Sequence, residues 1–242
     1  MGFLSAVSSF VSSVTSSICN AVSSIGSALS SFASGVGNFI AGAIGALAPV
    51  AEAIGKFATA FLQGLGIFKP DEKPDDMGDR ALQAADKGIT MDKYEKFDDY
   101  MKALRDFQLD PAESAKRSHA EKLMAGMGVG TVGVENKYGA APGSLNGMWL
   151  LPMTNSDYFT PERMQTLVAA GRLGGNVFDY LENRLSGGEA RSFEKALEVD
   201  GNGKRLDDGA LNKLYDALDT ARDNLADITK QMQAKDNASQ GV

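Results

Sequence analysis

Residues Val7–Phe32 read VSSFVSSVTSSICNAVSSIGSALSSF, twenty-six positions without a charge. Bulky apolar residues recur at steps of three and four: Leu4, Val7, Val11, Val14, Ile18, Val22, Ile25, Leu29, then Val36, Ile40, Ile44 and Leu47, with Ala33 filling the gap. Read as an eleven-residue repeat, the series runs Val7, Ile18, Leu29, Ile40. Three apolar positions per eleven is a period of about 3.67, close to a straight α-helix, and strands would need a period of two. The spacing therefore predicts one long amphipathic helix, ending or kinking near Pro49, where a backbone donor is lost. From Phe3 to Ala48 it would run roughly 70 Å.

Serine and glycine are poor helix formers, so this helix needs something to cover its apolar stripe. Copies of itself would do so, because small flanking residues let helices approach closely. A lipid interface would also serve, since an uncharged Ser/Gly face needs no anionic lipid. Insertion is a third reading, carried by the uncharged stretch Phe32–Ala51 with glycines at 35, 42 and 45. The fourth is that the stripe covers the chain's own charged half. Against it, a rod of 46 residues outruns a domain whose radius of gyration is roughly 15 to 16 Å.

Charge divides the 242 residues sharply: Cys19 aside, Glu52 and Lys56 are the only ionisable side chains before Lys69. The boundaries that follow are an uncharged arm over 1–68, an acidic proline-containing linker over 69–80, a charged helical domain over 81–235 and a frayed tail over 236–242. The fold class is mainly α, a kinked N-terminal helix plus a compact helical domain with a small irregular or β-hairpin region. That irregular region falls at 126–153, where Gly126, Gly128, Gly130 and Gly133 precede MWLLPM. Trp149 within it reads as a core anchor. Thr90, Asp110–Pro111 and Thr160–Pro161 read as helix starts, and the last helix as Asp207 to about Gln233.

The net charge of −7 with no basic run argues against nucleic acid. The N-terminus lacks the basic and continuous apolar regions of a secretory signal, so export would use no cleaved signal or occur inside a particle. Cys19 sits on the apolar beat as a small hydrophobe. Catalytic chemistry is sparse: the single histidine, His119, lies in SAKRSHAEK on a solvated helix face, and one His with one Cys make no ordinary zinc site. Gly128, Gly130 and Gly133 match G-x-G-x-x-G literally, without a preceding strand. EVDGNGKRLDDG, Glu198–Gly209, resembles a degenerate calcium loop with Asp200 and Asn202 in ligand positions, but Gly209 stands where the closing carboxylate belongs. Calcium through Asp200 and Asn202 is thus the one cofactor candidate.

In composition, the Ser/Gly/Ala-rich arm joined to a charged helical part resembles bacteriophage ejection or pilot proteins and secretion-system translocators. That resemblance implies a non-enzymatic, self-assembling, membrane-interacting delivery protein, virion-associated or secreted and membrane-bound at work. Its partners would be copies of itself and membrane lipid or a larger particle. Two alternatives are a purely structural stalk or rod within a particle, and a cargo enzyme using carboxylates of the charged domain on cell-wall polymers.

Overall fold

The uncharged segment folds back on itself. The computed structural model describes residues 9–200 and 202–240, and within them the expected rod is four helices: α1 (Ser9–Ser23), α2 (Ser27–Phe32), α3 (Val36–Ala46) and α4 (Ala48–Gly64). The breaks fall at 24–26, 33–35 and Leu47. Leu47 is extended (φ −123°, ψ 93°) just before Pro49, and α3 and α4 meet there at a bend of 117°. The long N-terminal helix is thus corrected to a folded set. An apolar stripe without cover in water drives the chain to find cover, and here its own charged half supplies it.

The charged half contributes α5 (Pro74–Asp86), α6 (Phe97–Asp106), α7 (Pro111–Ala115), α8 (His119–Tyr138), α9 (Leu150–Thr154), α10 (Pro161–Ala169), α11 (Val177–Leu181), α12 (Gly187–Leu197) and α13 (Asp208–Gln240). The 69–80 stretch expected as a linker is already helical from Pro74. Asp110 and Thr160 cap α7 and α10 through bonds from Ala112 N and Arg163 N. Thr90 makes no cap bond; a 3-10 turn over Met91–Lys93 follows it. α13 continues through the segment expected to fray, and Asp236 in its last turns is buried.

The largest departure from expectation is α8, which runs straight through the glycines at 126, 128, 130 and 133. No hairpin exists there. Among the described residues the only β pairing is an isolated bridge between Val199 and Arg205. The glycines are helical because neighbours press on them. A methyl at Gly126 would strike the Pro74 carbonyl of α5. At Gly130 it would lie 2.5 Å from Leu62 of α4, and at Gly133 2.7 Å from Ile67. At Gly128 it would come within 3.0 Å of Phe32. Close packing on several sides outweighs a helix penalty of about 1 kcal/mol per glycine.

One contiguous apolar core extends from Ile18 to Met232. Trp149 lies fully inside it, edge-on to Phe61 (5.6 Å between ring centres) and donating its indole N–H to Thr131 Oγ1 at 2.8 Å.

Candidate functional site

The stripe residues line the inner faces of α1–α4. Ile18, Val22, Ile25, Leu29, Ile40, Ile44 and Leu47 are buried, with Ala33 beside them. Val14 and Val36 are half-buried against the same core. Leu4 and Val7 lie outside the described residues, as does the Val11 side chain. α1 packs on α3, α8 and α13, and α4 packs on α8, α9 and α10. Their outward positions are small and neutral: Ser13, Ser16, Asn20, Ser30, Ser34, Asn38 and Gly45 are exposed. The one exception is the exposed pair Lys56–Glu52 on α4, with Nζ 2.6 Å from Oε1. No single helix among the described residues is long and apolar enough to cross a membrane, whereas α3 and α4 together reach that composition across their bend.

Polar ties hold this segment at several places, among them Ser17 Oγ donating to Glu121 Oε1 at 3.1 Å, Asn146 Nδ2 donating to Ser31 Oγ at 3.3 Å and Gln165 Nε2 donating to Phe61 O at 3.3 Å. At the α1–α2 break, Met91 N donates to Ile25 O at 2.9 Å. The Asp92 carboxylate there accepts from Ser27 N at 2.9 Å and from Ser27 Oγ at 2.7 Å. An acidic side chain sixty-five residues away thus caps the start of α2, where no local side chain does so. At the far end of α4, Lys137 Nζ donates to Leu65 O at 2.6 Å. Arg105 bridges there to Glu72 at 2.7 Å. The other helix starts of the segment, α3 and α4, have no side-chain caps.

A groove of about 430 Å³ runs along α4, bordered by Glu52, Lys56 and Gln63 on one side and by Lys73, Asp75 and His119 on the other. His119 is exposed, its Nδ1 3.8 Å from Asp75 Oδ2. Cys19 is half-buried, its thiol donating to Asn38 Oδ1 at 3.1 Å, and burial pushes the pKa of that thiol up to about 11, which favours its protonated form.

In the candidate calcium loop, one oxygen of Asp200 accepts from Asn202 N and Lys204 N, both at 2.9 Å, while Asn202 is exposed. Glu198, first in that loop, accepts from Tyr215 Oη at 2.7 Å and pairs with Arg191 (3.2 Å) and Arg205 (3.4 Å). The tyrosine bond and the two guanidiniums hold its carboxyl below the ordinary range. Among the described residues no group of three or more His, Cys, Asp or Glu is arranged to hold a metal.

Sequence reasoning found the stripe but missed its clasp. Met91 and Asp92 stand in an ordinary polar stretch, and no local pattern marks a contact so distant along the chain. No family model, curated protein or solved structure matches this chain.

Proposed function

We propose that this is a non-enzymatic delivery protein of the phage-ejection or secretion-translocator kind that stores a membrane-seeking, self-associating segment inside its own fold. It would be carried in a virion or secreted, and act at a membrane. The carrying observation is that α1–α4 hold an apolar face inward and a neutral Ser/Gly/Ala/Asn face outward, with the Glu52–Lys56 pair their only charges. A charge placed at the bilayer centre costs about 2.5–3.5 kcal/mol on insertion scales. A segment whose charges cancel in an i,i+4 pair avoids most of that cost, and Lys56 has reach to snorkel. Three buried carboxylates of the charged half are occupied, Asp79 by Lys122, Glu198 by Tyr215 with two arginines and Glu135 by the Leu145 N–H at 3.0 Å, which supports a structural use of those groups over a catalytic one.

Burial of the stripe in the chain's own core favours a second reading, a structural component that never meets lipid. Ser31→Cys with Gly143→Cys, in a Cys19→Ser background, separates the two. A β-carbon at Gly143 would lie 3.9 Å from Ser31 Cβ, within disulfide range, and this bridge ties α2 to the charged half; because Gly143 has φ 78°, the Gly143→Cys single variant serves as the control for backbone strain. The reduced protein should float with neutral lipid vesicles; the oxidised form should not, and dithiothreitol should restore flotation. A reduced protein that stays at the bottom of the gradient removes the delivery reading.

A further inference from the structure

We infer that the α1–α2 break is a clasp, and that opening it lets α1, α2 and α3 join into one straight helix. The inference rests on the delivery reading for its trigger and on separate observations for its geometry. The eleven-residue register runs unbroken through both breaks: Ile18 to Leu29 crosses the first, and Leu29 to Ile40 the second. Neither break contains proline, so nothing covalent forbids a helix there.

The first break is held from elsewhere in the chain, and the second by glycine geometry at Gly35 and by the close approach of Gly37 to the Phe32 carbonyl. At the first, Met91 N and the Asp92 carboxylate take the backbone groups that a continuous helix would satisfy internally. At the second, Gly35 adopts φ 56°, ψ −113°, a conformation reserved for glycine, with nothing within 4 Å of where a β-carbon would be. Straightening would replace the Met91 and Asp92 bonds by intrahelical ones and turn the stripe into a single line from Val14 to Ile44. Ser9–Ala46 would then span about 57 Å. The third break differs: Pro49 follows it, so α4 remains a separate arm beyond Leu47.

Spin labels at Asn20→Cys and Asn38→Cys, with Cys19→Ser, read the change in the full chain. Both sites are exposed and sit on the packed helices α1 and α3, beside the Cys19–Asn38 contact that the unlabelled chain makes. Neutral lipid vesicles should lengthen the label separation to about 27 Å, the rise of eighteen helical residues. Asp92→Ala should lower the lipid needed for half of that change roughly fivefold, the weight of one helix cap. Gly35→Ala, which removes no contact, should shift it in the same direction. Flotation with the labels still close overturns the inference and leaves the delivery reading intact. An unchanged lipid requirement in both variants also overturns it. Lengthening in Asp92→Ala without any flotation supports the clasp while removing the delivery reading.

Discussion

Gly126 and Gly187 are both helical glycines, yet their surroundings oppose each other. A β-carbon on Gly126 would collide with the backbone of Pro74, whereas one on Gly187 meets nothing within 4 Å. Backbone cannot step aside as a flexible side chain can, so Gly126→Ala should cost about 3 kcal/mol or more. Gly187→Ala should instead stabilise by about 0.5 kcal/mol, by narrowing the unfolded ensemble. Urea midpoints with an unchanged m-value measure both, and a mild effect at Gly126 would contradict the close α5–α8 approach. The same reasoning explains why glycines that read as a loop lie in a central helix: propensity is summed residue by residue, while close approach of two backbones depends on what lies opposite.

Between elements, α5 and α8 are joined at a buried polar knot. Asp79 accepts from Ser114 Oγ and from Gln83 Nε2 at 3.0 Å, and Lys122 Nζ lies 3.2 Å away. Burial alone would raise the Asp79 carboxyl, but the bonds from Ser114, Gln83 and Lys122 outweigh it and hold the group below its ordinary range. A depressed folded value means the stabilisation is present above the unfolded carboxyl value, about 3.9, and is lost as pH falls through the folded one. Melting temperature followed from pH 7 down to pH 2 should therefore fall less steeply for Asp79→Asn than for the natural chain. At pH 7 the variant should be weaker by about 2–3 kcal/mol, because Lys122 loses its counter-ion while keeping some water. Parallel pH profiles for the two proteins would refute this role.

Across the whole molecule, the arm and the charged half share one core, so neither has a complete interior alone. Phe32 and Leu29 rest on Gly128 of α8, and Leu62 rests on Gly130. A fragment beginning at Lys69 would expose that face of α8 and lose the partners of Trp149. It should melt broadly and bind a hydrophobic dye, whereas the intact chain should melt in one sharp transition. A sharp, reversible transition in the fragment would show that the charged half folds independently.

The helical class, the inward residues from Ile18 to Leu47, and the caps at Asp110 and Thr160 are legible in the sequence, because each depends on groups within a turn or two of one another. What covers the stripe is not legible. Copies, lipid and the chain's own helices offer the same apolar complement, and only the tertiary contacts distinguish them. The breaks at 24–26 and 33–35 were likewise decided by the folded whole. The register through them suits an unbroken helix, and the bonds from Met91 and Asp92 arrive from about sixty-five residues away, beyond the reach of any periodic pattern. Helical periodicity is a local property, whereas the choice between one long rod and four short helices depends on which surface the rest of the chain brings into contact with it.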